Sequence, residues 1–313
     1  MPLDFSLFDA KFTTAPSFLE DITYLRQEAR SFIQAAADKL GIQEQQVVPL
    51  PLGTWNVVVA LQPLQRVLKI SPWASRHEAD YLQLAFKKRL KAPTFFAYGD
   101  IPTSRLPNAS YTLMKYIPNC ANPGKLYEAG LLSPEKRLAI AHEVGEALAK
   151  LHQEHVGHIH GFGEVKPNWG AALNIWKLEE TAVFDTELLG RFERILQQTT
   201  YREFQAGVRL HSDANLHNIL VDAETHDFRA LIDPGPVGVG MGMYDLAYAA
   251  APWINGWDYL ETAVSTYRNY SQSYNEQQFY VSLLYVAYQH TQYGLNNANT
   301  EKMLVERILP RLE

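Results

Sequence analysis

Apolar residues near the start of the chain recur at helical spacing. Phe18, Ile22, Leu25, Ala29, Phe32, Ile33 and Ala36 fall on one face, which predicts a helix over residues 17–40. Gly41 follows where a left-handed C-cap is expected. The period then shortens to strand-like runs over 46–52, 56–61 and 66–71, separated by Gly53-Thr54 and by Gln62-Pro63-Leu64-Gln65. Three such runs at hairpin spacing predict an antiparallel sheet. A helical stretch over 76–90 and extended stretches over 94–98 and 111–116 complete a small α+β lobe.

Past Ile117-Pro118-Asn119 the helical period dominates. Ser133-Pro134-Glu135 opens a helix with a capping hydroxyl and a proline at its first position, and Leu138, Ala141, Val144, Leu148 and Leu151 continue it at core spacing. Only three strand-like pieces interrupt the later helices, near 208–210, 219–222 and 230–232. The expected organisation is therefore an N-terminal lobe over 1–116, including the helix at 17–40, and a helical C-terminal lobe over 117–313. The boundary near Tyr116 reads as a hinge between packed lobes, since no low-complexity linker or internal repeat separates them.

Composition narrows the class without naming a chemistry. The 313 residues are 47% hydrophobic and 20% charged, the profile of a soluble globular protein. No apolar run reaches membrane-spanning length and Met1-Pro2-Leu3-Asp4 does not resemble a secretion signal, so a cytoplasmic location and no membrane partner are expected. The single cysteine, Cys120, excludes a disulfide framework and a cysteine zinc cluster. The net charge of −6 argues against nucleic acid as a partner. Residues 1–116 hold 13 Lys and Arg against 10 Asp and Glu, leaving 15 against 24 in the remainder of the 28 and 34. A basic front suits phosphate, and an acidic back suits a cationic acceptor or serves only to solubilise the surface.

The chemistry concentrates in Leu210-His211-Ser212-Asp213-Ala214-Asn215-Leu216-His217-Asn218, followed by Leu231-Ile232-Asp233-Pro234-Gly235. Asp213 can accept the proton of an attacking hydroxyl, and Asn218 and Asp233 offer hard oxygens to Mg2+, which is what phosphoryl transfer from a nucleotide needs. Upstream, alternation puts Lys69 and Val67 on one face of their strand and Leu68 and Ile70 on the other. Lys69 there either pairs with phosphates or lies in solvent on an edge strand. Glu78 either reaches Lys69 or closes a capping box with Ser75. Gly53 and Asn56 belong to a turn that can cover phosphates. Asp245 opens an apolar helical stretch and either caps it or braces the catalytic loop. The letters His211, Asp213 and His217 also permit a metal-dependent hydrolase, to which the run His152, His155, His158 and His160 would add ligands.

At these residues the chain resembles the aminoglycoside phosphotransferase family, also called the phosphotransferase enzyme family, with a protein kinase-like fold. The resembling pieces are Leu52-Gly53-Thr54-Trp55-Asn56, Val67-Leu68-Lys69-Ile70, His77-Glu78-Ala79, Leu113-Met114-Lys115-Tyr116-Ile117, Ala147-Leu148-Ala149-Lys150-Leu151-His152, His211 to Asn218, Ile232-Asp233 and Tyr244-Asp245-Leu246-Ala247. The resemblance implies transfer of the γ-phosphoryl group of ATP or GTP to a small-molecule hydroxyl. It implies Lys69 on phosphates oriented by Glu78, Met114, Tyr116 and Ile117 against the nucleotide base, Asp213 as base, Asn218 and Asp233 on Mg2+, and His211 and Asp245 supporting the catalytic loop. Ser212 stands where the family commonly has Gly, and Gly240-Met241-Gly242 stands where an acidic residue often follows Gly. Asn215 and Pro234 depart from protein kinases and point away from protein substrates. The acceptor expected is an aminoglycoside-like molecule, an amino alcohol or another hydroxylated metabolite, with Trp169, Trp176, Trp253 and Trp257 as candidate cation–π partners. A nucleotide-binding relative without transfer activity shares all of these features.

Overall fold

The computed structural model describes residues 16–42, 47–50, 55–156, 187, 190–191, 194–195, 207–235, 239–292 and 304–312. Its contacts divide the chain into two compact units. One runs to Lys87 and resumes over Ala92–Pro118; the other takes Lys88–Lys91 and the chain from Asn119 onward. The short excursion at Lys88–Lys91 has a local cause. Lys91 accepts a backbone hydrogen bond from Leu231 at 2.8 Å, and its ammonium pairs with Glu143 at 2.6 Å.

The first unit is built on a five-stranded antiparallel sheet of β1 (Val47–Pro49), β2 (Val57–Leu61), β3 (Arg66–Ser71), β4 (Phe95–Asp100) and β5 (Ser110–Lys115), in the order β1-β2-β3-β5-β4. Alternation sends Val57, Val59, Leu61, Leu68, Ile70, Tyr111 and Leu113 to one face, where they form a core with Leu25, Ala29, Phe32, Ile33 and Ala36. Those helical positions belong to two helices rather than the single one expected: α1 (Pro16–Gln27) and α2 (Ala29–Leu40). Glu28, at φ −99° and ψ 14°, departs from helical geometry. The ladder is carried across it by Glu28 N–H to Tyr24 and Phe32 N–H to Glu28, so one apolar face is kept. Gly41 ends α2 at φ 65°, the left-handed cap that a residue without Cβ adopts at little cost. Helix α3 (Arg76–Lys87) buries Ala79, Tyr81, Leu82 and Ala85 together with Glu78.

In the second unit β6 (Cys120–Ala121) and α4 (Pro123–Glu128) precede the long helix α5 (Pro134–Leu151). Ser133 Oγ accepts from Lys136 N–H at 3.3 Å and Pro134 takes the first turn, as the sequence pattern predicts. Two small antiparallel sheets complete the strands. β7 (Val208–Arg209) lies beside β10 (Val239–Gly240), and β8 (Ile219–Asp222) lies between β6 and β9 (Phe228–Leu231). Helices α6 (Gly242–Ala249), α7 (Pro252–Asn255), α8 (Trp257–Tyr270) and α9 (Glu276–Gln292) follow. Among the described residues no helix is long and apolar enough to cross a membrane.

Helices α5 and α8 approach closely at Gly145, where an added Cβ would run into the carbonyl oxygen of Ala263 and stand 3.1 Å from Thr266 Cβ. Helix propensity alone favours alanine at such a position by roughly 1 kcal/mol. The packing reverses that sign, because a backbone carbonyl cannot turn aside as a side chain does. Gly145→Ala is therefore expected to lower stability by about 1–3 kcal/mol, measured as a shift of the urea unfolding midpoint.

Candidate active site

In the first unit Lys69 lies on β3, in the interior of the sheet, and is 7% exposed. The solvent-exposed edge position considered for it does not occur. Lys69 pairs by register with Val58 and Thr112, on the face opposite the core made by Leu68 and Ile70. Its ammonium donates to Glu78 Oε1 at 3.0 Å, and Glu78 is 1% exposed. The capping-box alternative for Glu78 fails on a definite competitor, since Ser75 N–H donates to Ser110 Oγ at 3.0 Å. Ser110 thus closes the start of α3 and leaves Glu78 to the lysine. An ion pair this deep must satisfy both charges locally.

The remaining first-unit positions divide. Asn56 is buried, and its side-chain oxygen accepts from the Ser71 hydroxyl at 2.7 Å, which joins the start of β2 to the end of β3. Met114 shares its face of β5 with Thr112, opposite Leu113. Tyr116 and Ile117 are half-buried beyond the strand, and Tyr116 N–H donates to Gln65 O at 2.9 Å. Gly53 lies outside the described residues.

In the second unit the loop before β8 carries Asp213. Asn215 Nδ2 donates to its Oδ1 at 2.6 Å, Asn218 Nδ2 donates to its Oδ2 at 2.6 Å and to its backbone oxygen at 2.9 Å, and the Tyr248 hydroxyl donates to the same carboxylate. Asn218 spends its amide nitrogen on Asp213 and keeps its carbonyl oxygen for another partner. Asp233 is drawn alongside by the β8–β9 pairing and by Ile232 N–H to Asn218 O at 2.8 Å. Burial first, and then the neighbouring Asp233 charge, push the Asp213 carboxyl up to about 7 against the opposing hydrogen bonds.

The backbone of this loop is held from α6 and α5. Asp245, fully buried in the first turn of α6, accepts from the backbone N–H groups of His211 and Ser212, each at 2.7 Å. It also meets His152 Nε2 at 3.1 Å, while His152 Nδ1 lies 2.9 Å from the Tyr267 hydroxyl. Placing the imidazole proton on Nε2 lets it donate to Asp245 and lets Tyr267 donate to Nδ1. Asp245 therefore braces the loop and does not cap its helix. Met241 stands at the N-cap of α6 without a side-chain bond, so the acidic contact absent from the sequence is absent here too. His211 is buried with Nδ1 accepting from Asp213 N–H at 3.3 Å.

His217 turns away to Glu128 at 3.2 Å, so His211, Asp213 and His217 do not form the ligand set of the hydrolase reading. Among the described residues no three His, Cys, Asp or Glu side chains cluster around a metal-sized space. His158, His160, Trp169 and Trp176 lie outside the described residues, as does the side chain of Trp253. One face of Trp257 is covered by the Arg307 guanidinium, 4.8 Å from the ring centroid. Tyr248 was missed from sequence, although it lies three residues after Asp245 in a helix, a spacing that marks a shared face; His152 stood in a resembling segment and in the histidine run, but its bond to Asp245 was not foreseen.

Comparison with known proteins follows the same residues. The model of the phosphotransferase enzyme family matches residues 47–278. No curated protein matches the sequence. Among solved structures, wild-type aminoglycoside 2'-phosphotransferase-IIIa in its GDP complex superposes with a TM-score of 0.59 at 13% identity, covering 90% of this chain and 97% of that one. A choline/ethanolamine kinase family protein from Mesorhizobium loti gives 0.58 at 16%, covering 92% and 97%. Aminoglycoside phosphotransferase APH(3'')-Id from Streptomyces rimosus, bound to ADP and streptomycin, gives 0.54 at 16%, covering 86% and 99%. At these identities the likeness is one of fold, and the fold is protein kinase-like.

Two outcomes follow from this geometry. Ser212 has φ 61° and a buried hydroxyl with no hydrogen-bond partner among the described residues. Ser212→Gly, which removes the strain and the unsatisfied oxygen, is expected to raise stability by roughly 1 kcal/mol, and Ser212→Ala by less, both read by calorimetry. Asp213 has a folded-state proton affinity raised to about 7, so its contribution to stability is complete below the unfolded carboxyl value and is lost as pH rises through about 7. Without magnesium or nucleotide, the unfolding midpoint of the wild type should therefore fall relative to Asp213→Asn from about pH 4 to about pH 7 and then level off. A difference independent of pH would contradict the assignment.

Proposed function

This chain belongs to the phosphotransferase enzyme family, and on that premise we propose that it transfers the γ-phosphoryl group of ATP or GTP to a hydroxyl of a small molecule. The observation that carries the reading is Asp213, a carboxylate oriented by three donors, raised to about 7 and set beside a second carboxylate. A base with that proton affinity can take a hydroxyl proton near neutral pH. The acceptor oxygen forms a bond to the γ-phosphorus, the bond from that phosphorus to the β-bridging oxygen breaks, and the nucleoside diphosphate leaves. The acceptor proton passes to Asp213.

Asn218 and Asp233 supply the donor set a hard divalent cation takes, an amide oxygen and a carboxylate, and the charge of Asp233 beside Asp213 is of the sign such an ion offsets. Mg2+ held there would neutralise charge on the nucleotide phosphates. In the first unit, Lys69 is assigned to phosphates, with Glu78 fixing its direction. Met114, Tyr116 and Ile117 are assigned to the nucleotide base, and Gly53 to the turn over the phosphates. Asn56, whose side-chain oxygen accepts from Ser71, is assigned with Gly53 to the phosphates.

For the acceptor, the reading is a hydroxylated small molecule carrying amino or quaternary ammonium groups. Support comes from the acidic excess after residue 116 and from fold relatives, one in complex with streptomycin and one a choline/ethanolamine kinase family protein. Nucleic acid and protein substrates are not part of it.

The test pairs each nucleotide, with magnesium, against aminoglycosides, choline, ethanolamine, amino sugars and neutral polyols, following phosphorylated product by mass spectrometry. Transfer to a cationic acceptor is expected. Asp213→Ala should lower it by roughly 10²–10⁴-fold or more with nucleotide binding retained, and Lys69→Ala should chiefly weaken productive nucleotide binding. Nucleotide binding with no transfer to any acceptor would identify a binding protein instead.

A further inference from the structure

Tyr248 sits on α6, half-buried, with its hydroxyl on the Asp213 carboxylate and its ring 6.2 Å from that of Tyr244 at 44°. The other two donors to Asp213, Asn215 and Asn218, come from the loop that carries Asp213 itself. Among the described residues, Tyr248 is the donor that arrives from a regular helix. It lies three residues beyond Asp245, so one face of α6 holds both the backbone of the loop, through the N–H groups of His211 and Ser212, and the side chain at its tip.

A carboxylate offers about four lone-pair directions. Asn215, Asn218 and Tyr248 occupy three of them, which leaves one for an incoming hydroxyl. Without the phenol the carboxylate keeps, among the described residues, only donors that move with its own loop, and it gains freedom to rotate about its Cβ–Cγ bond. We propose that Tyr248 is a positioning residue for phosphoryl transfer: its O–H, mounted on α6, fixes the rotation of the Asp213 carboxylate so that the remaining lone pair meets the acceptor hydroxyl. This rests on Asp213 being the base.

Tyr248→Phe removes one oxygen and keeps the ring contact with Tyr244, so the fold is retained, as the thermal midpoint will verify. With magnesium and nucleotide, assayed on the best acceptor found or on water as slow hydrolysis, the variant should lose roughly 10–100-fold in kcat. Its KM for nucleotide should stay within about twofold, since only positioning for the chemical step is lost. A second arm needs no turnover: the urea-midpoint shift caused by Tyr248→Phe should shrink when Asp213→Asn is also present. An unchanged kcat, a raised nucleotide KM at constant kcat, or additive midpoint shifts each overturns the inference while leaving Asp213 as base. A wild-type protein with no nucleotide turnover at all overturns the underlying reading and the inference together, and is seen before any variant is made.

Discussion

The second unit depends on one buried carboxylate. Asp245, with no exposed surface, accepts from two consecutive backbone amides of the loop that carries Asp213 and from His152. Charge-assisted bonds to backbone donors are about twice as strong as neutral ones, and losing the acceptor would leave two buried N–H groups unsatisfied at about 1–3 kcal/mol each. The loop's own side-chain hydrogen bonds converge on Asp213. Here the shape is imposed from α5 and α6, two helices whose packing is itself secured by apolar residues such as Val144, Leu148, Leu246 and Ala247.

That imposed shape explains a local cost. Ser212 takes a left-handed backbone so that its N–H and that of His211 both point at Asp245. Glycine adopts that conformation freely, whereas serine carries strain of the order of 1 kcal/mol. Asp233 is also left-handed, at φ 56°. Strain at both carboxylate-bearing turns is maintained by cross-bonds between them, Gly235 N–H to His211 O at 2.8 Å and Ile232 N–H to Asn218 O at 2.8 Å. The two turns are therefore one body, and Asp213 and Asp233 are held together although their charges repel.

The first unit solves a related problem with an ion pair. A lysine in the middle of a sheet would lose its hydration without return, and Glu78 supplies the opposite charge from α3. The device requires that Glu78 be free of duties at the helix start. Ser110, on a strand 35 residues away from Ser75 in sequence, takes over that duty by bonding Ser75 N–H.

Much of this was legible in the chain. Period-two and period-3.6 patterns located β2, β3, β8, α2, α3 and α5 within a few residues, because burial of one face repeats along an element. The spacing of His211, Asp213, Asn218 and Asp233 named the reaction class, because the donors such chemistry needs are few in kind. The sequence could not choose between the two roles of Glu78, of Lys69 or of Asp245, nor see that Glu28 divides one helical stretch into two helices. Each choice turned on a group distant along the chain: Ser110 for Glu78, the strand β5 beside β3 for Lys69, and His211, Ser212 and His152 for Asp245. Local patterns record what a residue prefers to bury. Which hydrogen-bond partner it finds there is decided only when the folded chain brings distant segments together, as it brings Tyr248 of α6 onto Asp213.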